Sequence, residues 1–363
     1  MFIVVSTELA KLIAEKYSTG INNICDAINS LFYAMNKRKH IVMIDREAIS
    51  LLMKCESIEY TSKAMMRWIE CHYNDIHAIK CKVTVTVVLI PNSPSYFANN
   101  TYYLSVEEYQ EFVESQLLTE NDDDYLFYTR LYSFIFPSKK VFDICLHNNP
   151  FYGANVASRI QYLYAEKKFF LCIVDSDKEY TSDSKKSTYQ AANKELKAHS
   201  LEILPSELYV LNVREKENLF PFQLYIPKCP DRIQFINIIL EHGTEEVFRY
   251  IKLKDGIKQK RINENDERWN QAYSLILENC KRKNIYLSVA SEEEYCIKGI
   301  NNKTLKAASE LFFKDNNYNT LQGQAKLDIV FGKQSFIIDE WKEIAHKLFD
   351  FGCCFSSQVN FMA

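Results

Sequence analysis

The stretch Phe169–Asp177, FFLCIVDSD, decides how this chain folds. Its six apolar residues, Phe169–Val174, are long enough for one strand, and a continuous apolar run is typical of a strand buried on both faces of a parallel sheet. Asp175 and Asp177 follow at the carboxyl end of that strand, where open α/β sheets place their ligands. Because residues i and i+2 of an extended chain share a side, both carboxylates can reach one ion.

Similar elements lie on both sides of this strand. The segments VFDICLH (141–147) and LYVLNV (208–213) have apolar strand patterns, and helical patterns over about 154–167 and over 186–199 separate the three strands. Alternating strands and helices are typical of a wound sheet with buried parallel strands. We therefore predict an α/β fold with a central wound, mostly parallel sheet.

The flanking regions carry other patterns. Residues 1–80 are mostly helical in periodicity, whereas KHIVMI (39–44) and KVTVTVVLIP (82–91) have strand composition. SVEEYQEFVESQLL (105–118) begins with a capping-box pattern that predicts a helix, and helical periodicity returns after residue 231. A chain of 363 residues is too long for one ordinary core. We predict an N-terminal α+β region over 1–138, a central α/β domain over 139–230 and a mainly helical region over 231–363.

Composition narrows the functional classes. Hydrophobic residues at 47% and charged residues at 25% indicate a folded globular chain, and no apolar stretch is long enough to predict a membrane span. The net charge of −3 means that a nucleic-acid surface would be a local patch. Eleven scattered cysteines without a CxxC pair argue against zinc and indicate reduced thiols, so we expect a cytoplasmic protein. The absence of GxxxxGK[ST] and GxGxxG excludes a P-loop ATPase and a Rossmann dehydrogenase.

A second polar cluster, Arg214–Asn218 (REKEN), directly follows LYVLNV. In a parallel sheet it lies on the same edge as the two aspartates. Glu215 or Glu217 could complete a shell of hard oxygen ligands for Mg²⁺ or Mn²⁺, and Arg214 could hold a phosphate oxygen with its planar guanidinium. The alternative is structural, because Asp177 could cap the next element and the glutamates could form a first helical turn favoured by the helix dipole.

Other charged segments receive structural interpretations. The acidic run Glu120–Asp124 is interpreted as a solvated loop, because consecutive acidic residues point in different directions on any regular element. The basic residues over 252–261 are interpreted as a solvated, lysine-rich turn, with a rim that tracks a phosphate backbone as the alternative.

The sequence VDSD at a strand end, then REKEN and the exit LFPF (219–222), resembles the divergent TOPRIM-like (topoisomerase–primase) nuclease domains of bacterial antiviral defence systems. The resemblance covers about Phe142–Leu224. In such domains a glutamate after the first strand and a DxD after a later strand hold Mg²⁺ for cutting or joining phosphodiester bonds. The resemblance assigns the DxD positions to Asp175 and Asp177, and the acidic pair of RExEN to Glu215 and Glu217.

One position departs from the family pattern. The pattern expects a glutamate at the end of the first strand, commonly followed by Asn or Gly, but ICLHNNPFYGAN (144–155) has His147 and Asn148 there. His147 could replace the acid as a ligand or general base, which would favour Mn²⁺. Alternatively the site is degenerate, and the fold serves as a binding or scaffolding module.

These assignments lead to one expected function and two alternatives. We expect a nuclease in which Asp175, Asp177 and the Glu215/Glu217 pair hold one or two divalent ions, and Arg214 offsets developing charge. Its partners would be DNA or RNA and a separate ATPase sensor, with a homo-oligomer left open. The alternatives are a non-catalytic TOPRIM-derived subunit of a defence complex and a domain that binds a phosphate ligand without cutting it. Crowded carboxylates also predict a raised pKa for at least one of the four acids.

Overall fold

The computed structural model describes residues 1–16, 22–109, 111–136, 141–314 and 334–361. The strands are β1 (Phe2–Val5), β2 (Ile41–Ile44), β3 (Thr86–Ile90), β4 (Tyr96–Ala98), β5 (Thr101–Ser105), β6 (Ser115–Leu118), β7 (Phe142–Ile144), β8 (Leu146–Asn148), β9 (Phe170–Val174), β10 (Ser206–Val210), β11 (Gly256–Lys258), β12 (Tyr295–Lys298) and β13 (Cys353–Phe355). The helices are α1 (Thr7–Lys16), α2 (Asn22–Asn36), α3 (Arg46–Leu52), α4 (Tyr60–Cys71), α5 (Tyr73–Lys80), α6 (Asp122–Ile135), α7 (Val156–Ala165), α8 (Ser187–Ala198), α9 (Ile233–His242), α10 (Glu245–Tyr250), α11 (Gln259–Asn263), α12 (Glu267–Arg282), α13 (Asn302–Lys314) and α14 (Phe336–Gly352).

The N-terminal region contains a five-stranded sheet in the order β2-β1-β3-β5-β4. Its strands are parallel except for β4, which forms an antiparallel hairpin with β5. The predicted strands in KHIVMI and KVTVTVVLIP are confirmed as β2 and β3. The helical prediction for residues 1–80 missed β1, whose FIVV sequence is mostly buried between β2 and β3.

The central sheet has the order β10-β9-β6-β8, and all of its pairs are parallel. Helices α6, α7 and α8 connect these strands in sequence, so the predicted α/β fold with a wound, mostly parallel sheet is confirmed. Every residue of β9 is buried, as expected for a strand covered on both faces.

Strand β6 corrects the prediction of a helix over 105–118. Ser105 ends β5 instead of capping a helix, and Ser115–Leu118 is a fully buried strand between β9 and β8. The pleated pairing with β9 satisfies the backbone of β6 and buries its side chains, which outweighs the local capping signal. This sheet therefore begins before the predicted boundary at 138/139, which itself lies outside the described residues.

The C-terminal residues pack back onto the central sheet. Helix α14 packs against α6, and β13 pairs with β7 in a small antiparallel sheet. The predicted strand VFDICLH is in fact two short strands, because β7 pairs with β13 whereas β8 pairs with β6. No helix in the described part of the chain is long and apolar enough to cross a membrane.

A buried carboxylate joins α14 to the end of β10. Glu340 is 4% exposed, and its Oε1 accepts hydrogen bonds from the Tyr209 hydroxyl and the Asn212 backbone N–H, both at 2.9 Å. Its Oε2 accepts a third bond, from Asn212 Nδ2 at 2.9 Å. One side chain of α14 thus fixes the segment that leads from β10 into REKEN.

We predict that Glu340→Ala lowers the free energy of unfolding by about 2 kcal/mol, because the buried Tyr209 hydroxyl loses its charged acceptor. Urea denaturation measures the change. The matched control is Asp339→Ala, whose side chain is 84% exposed on the same helix and should change stability by less than about 0.5 kcal/mol. Equal losses in both variants would contradict the anchoring role of Glu340.

Candidate acidic site at the edge of the central sheet

The loops after β9 and β10 are joined side by side. The backbone N–H of Leu211 donates to Val174 O at 3.1 Å, and the Asp177 N–H donates to Arg214 O at 2.9 Å. Between them, the Ser176 hydroxyl donates to Val213 O at 2.6 Å. The two predicted polar clusters therefore do lie together at the carboxyl edge of one parallel sheet.

A cavity of about 400 Å³ opens at this edge, between the start of α6, the segment after β10 and α13. We call it the acid pocket. The carboxylates that line it are Glu120, Asp123, Asp124, Asp175, Glu217 and Glu310. The basic side chains that line it are Arg130, Lys216, Lys254, Lys303 and Lys306.

Asp175 lies in this pocket directly after β9. Burial raises its pKa well above the ordinary value, and the charges of Asp124, Glu217, Glu215 and Glu120 raise it further. Because Asp175 is close to so many carboxylates, it takes up a proton more readily than an isolated aspartate. The predicted raised pKa among the four acids is confirmed.

Glu120 is the acid that the sequence interpretation missed. It follows β6, and β6 pairs directly with β9, so Glu120 and Asp175 follow neighbouring parallel strands. Partial burial and the charge of Asp124 raise the pKa of Glu120. The local sequence gives little signal for Glu120, because SQLL has only two apolar residues before Thr119 and Glu120.

The acidic run Glu120–Asp124 is not a solvated loop. Asn121 caps α6, since its side chain accepts a hydrogen bond from the Asp124 N–H at 3.1 Å, and the three aspartates form the first helical turn. Asp124 is 8% exposed and pairs with Lys216. The aspartates point in different directions, as expected, but Asp123 and Asp124 line the acid pocket.

Glu215 and Glu217 also reach this site. Glu215 is 2% exposed, precedes the 3₁₀ turn Lys216–Leu219, and its Oε2 lies 3.0 Å from Lys254 Nζ. Its buried Oε1 has no hydrogen-bond partner among the described residues. Burial and the charge of Glu217 raise the pKa of Glu215 to about 6. Glu217 Oε2 lies 3.9 Å from the same Lys254 ammonium.

Three of the predicted site residues take other positions. His147 pairs in register with Gln116, which in turn pairs with Phe170 at the start of β9, so His147 lies at the wrong end of the strands. Its imidazole is 57% exposed, with Nδ1 3.7 Å from Glu114 Oε1. Arg214 turns away from the acid pocket into a neighbouring one.

Asp177, the third of these residues, adopts a left-handed backbone conformation with φ +53°. Asp tolerates this region better than most residues, and here it aims the N–H at Arg214 O. The side chain does not line the acid pocket, although its charge contributes to the raised pKa of Glu120.

The donors present suit a hard divalent cation in kind, because they are carboxylates, and Glu215 has a buried oxygen without a partner. However, within the described ranges no three His, Cys, Asp or Glu side chains converge closely enough to hold a metal. The predicted metal-bridging convergence is therefore not found there. Instead, two lysines contact the acids: Lys216 with Asp124, and Lys254 with the REKEN glutamates.

We predict that the raised pKa of Glu215 makes the fold less stable as pH rises. The folded pKa of about 6 exceeds the ordinary 4.5, so the folded state binds the proton more tightly, and this stabilisation is present below about pH 4.5 and is lost as pH rises through 6. Relative to Glu215→Gln, the wild-type free energy of unfolding should fall by about 2 kcal/mol between about pH 4 and pH 7.

Urea denaturation at each pH measures this difference. The control is Glu166→Gln, whose side chain is 49% exposed and whose stability curve should parallel the wild type. A Glu215→Gln curve that also parallels the wild type would show that Glu215 does not retain its proton in the folded chain.

Acidic and basic side chains both line the acid pocket. Arg130 and Lys303 lie on its rim, together with Lys306, whose Nζ is 2.7 Å from Asp123 Oδ1. The pocket thus combines an acidic interior with a partly basic rim.

No protein-family model, no curated protein and no solved structure matches the chain.

Proposed function

We propose that this chain is a metal-dependent nuclease with a TOPRIM-like core, which cuts phosphodiester bonds in DNA or RNA as an antiviral defence effector gated by a separate ATPase. The observation that carries the proposal is the position of Glu120 and Asp175 at the ends of neighbouring parallel strands, in one acid pocket. Both have raised pKa values, which indicates a crowded acidic centre of the kind found at functional sites.

The order of the acids along the chain supports the TOPRIM-like assignment. The family pattern expects a glutamate, commonly followed by Asn or Gly, after the first strand, and a DxD after a later strand. In the central sheet β6 comes first in sequence and is followed by Glu120 and Asn121, whereas β9 is followed by Asp175 and Asp177. In this proposal Glu120, and not His147, takes the position of the first-strand glutamate.

The basic rim supports a nucleic-acid substrate. Arg130 and Lys303 line the acid pocket beside its carboxylates, although the whole chain carries a net charge of −3. Local cations of this kind contact phosphates and release the counterions around them, which is the main source of sequence-independent affinity. A rim of this kind fits a backbone phosphate that approaches the acids from outside.

The acids would have different roles at such a centre. Glu120 and Asp175 would hold Mg²⁺ or Mn²⁺, because Mg²⁺ commonly uses only one or two protein carboxylates, and Glu217 and Glu215 lie close to Asp175. The bound ion would polarise the phosphate and lower the pKa of water. Lys216 and Lys254 balance the carboxylate charge, so that a polyanion can approach without strong repulsion.

A second function is favoured by the lysines themselves. The ammonium groups of Lys216 and Lys254 already contact Asp124 and Glu215, and no metal-binding trio converges among the described residues. A site closed by its own cations would not need an ion, and the domain would then act as a non-catalytic subunit of a defence complex.

We predict that the purified protein, alone or with its ATPase partner, cleaves nucleic acid in Mn²⁺ or Mg²⁺, and that Asp175→Ala and Glu120→Gln each abolish cleavage. Removing one acidic ligand from a site with few ligands leaves the ion poorly held. The control is His147→Ala, which should retain full activity because His147 lies at the opposite end of the strands. Gel assays on labelled DNA and RNA measure the rates.

Metal binding separates the two functions without relying on activity. Calorimetric titration with Mn²⁺ should show binding that Asp175→Asn and Glu120→Gln weaken by about tenfold or more. The scaffold function would be supported instead by three results together: no Mn²⁺ binding, no cleavage with any metal, and equal cellular protection by the wild type and Asp175→Ala.

A further inference from the structure

A second pocket lies on the other side of the REKEN segment. It has a volume of about 170 Å³, and its polar lining includes Arg214, Arg261, Lys252, Lys258 and Glu179. We call it the arginine pocket. In contrast to the acid pocket, its charged lining residues are mainly basic, and the rest of its lining is apolar or aromatic.

The two pockets share a wall. Arg214 lines the arginine pocket, whereas Lys216 and Glu217, two and three residues later, line the acid pocket. Similarly, Lys252 lines the arginine pocket and Lys254 lines the acid pocket. Residues two apart have Cα atoms at most about 7.6 Å apart, so neighbouring residues of the same two segments line both pockets.

The arginines are incompletely satisfied. Arg214 has its side chain 14% exposed, and its contacts are long: Nη1 to Tyr250 O at 3.4 Å and Nη2 to Glu179 Oε1 at 3.7 Å. The buried Nε atoms of Arg214 and Arg261 both lack a hydrogen-bond partner among the described residues. Arg261 Nε lies 2.6 Å from Glu179 Oε2, but the N–H is not aligned with it.

Glu179 is a weak counterpart for two guanidinium groups. It contacts both arginines through one carboxylate whose side chain is 28% exposed. Other carboxylates pair with these basic residues: Lys252 contacts Asp255, Lys258 contacts Glu293 at 2.9 Å, and Arg261 contacts Glu264 at 2.7 Å and Asp266 at 3.1 Å. The pocket therefore keeps guanidinium groups that lack a complete set of hydrogen bonds, and an arginine fork binds a planar or tetrahedral anion well.

We propose that the arginine pocket binds one phosphate group, supplied by the same nucleic-acid strand whose neighbouring phosphodiester enters the acid pocket. The pocket is smaller than the ~300–1,000 Å³ typical of small-molecule sites, so it fits a single anionic group rather than a whole nucleotide. The choice of a nucleic-acid strand rests on the proposed function, whereas binding of a phosphate group does not.

The test measures binding without cleavage. In an Asp175→Asn background with EDTA present, fluorescence anisotropy gives the affinity for labelled single-stranded DNA and RNA. Arg214→Gln and Arg261→Gln should each weaken binding by about tenfold and reduce the slope of log affinity against log salt by about 1. The matched control, Arg159→Gln, removes an exposed arginine of α7 outside both pockets and should change neither value.

Glu179→Gln distinguishes a phosphate site from a structural ion pair. If Glu179 competes with phosphate for the arginines, the variant should bind the oligonucleotide severalfold more tightly. If the three side chains only stabilise the fold, the variant should lose thermal stability with no gain in affinity, and the proposal would be overturned. This readout stays decisive even if Arg214→Gln unfolds.

Separate titrations identify the source of the phosphate and separate the two proposals. Thermal shift and calorimetry with inorganic phosphate and a 5′-mononucleotide, on the wild type and Arg261→Gln, test free ligands. Arginine-dependent oligonucleotide binding without any metal-dependent cleavage would leave this inference standing and remove the nuclease proposal. Binding of free phosphate alone would replace the strand by a small ligand. Cleavage that is unaffected by Arg214→Gln and Arg261→Gln would overturn the inference alone.

Discussion

The parallel pairing of β9 with β10 continues beyond the last residues of both strands, and the rest of the candidate site depends on this continuation. Backbone and hydroxyl donors from the first loop reach carbonyls of the second, up to Arg214. Such bonds replace the water that the two polar loops would otherwise require. As a result, acids separated by about forty positions in the chain share one small volume.

This arrangement concentrates negative charge, and the molecule relieves the repulsion in two ways. Asp175 and Glu215 retain protons more strongly than isolated carboxyls. In addition, Lys254 is held by the charges of Glu217 and Glu215, which raise its pKa despite the opposing effect of burial. Lys254 contacts both glutamates, so removing it would increase the repulsion between them. Any ion that enters the site would therefore have to compete with these lysines for the carboxylates.

The sequence alone predicted the strands that have continuous apolar runs. It did not predict strands that form only because they pair with other strands in the folded chain. FFLCIV was identifiable because it is apolar throughout, and LYVLNV because it is apolar except for Asn212; both are followed by polar clusters. SQLL was not identifiable, because it is four residues long, lacks β-branched residues and follows a capping-box pattern. Because β6 was missed, VFDICLH was predicted as the first strand of the sheet, whereas β6 precedes it. VFDICLH divides at Cys145 into strands of two different sheets, and nothing in the local sequence predicts this division.

The anchoring of the segment after β10 by Glu340 has a consequence during translation. The ribosome needs about 6–25 s to travel from Glu217 to Glu340, at typical rates of synthesis. Until α14 emerges, Tyr209 and Asn212 lack their carboxylate acceptor, and α13 has only recently supplied its side of the acid pocket. A nascent chain therefore carries all the acids of the site for some time without the contacts that assemble them. The contacts of Glu340 with the segment after β10 therefore form only after α14 has been made.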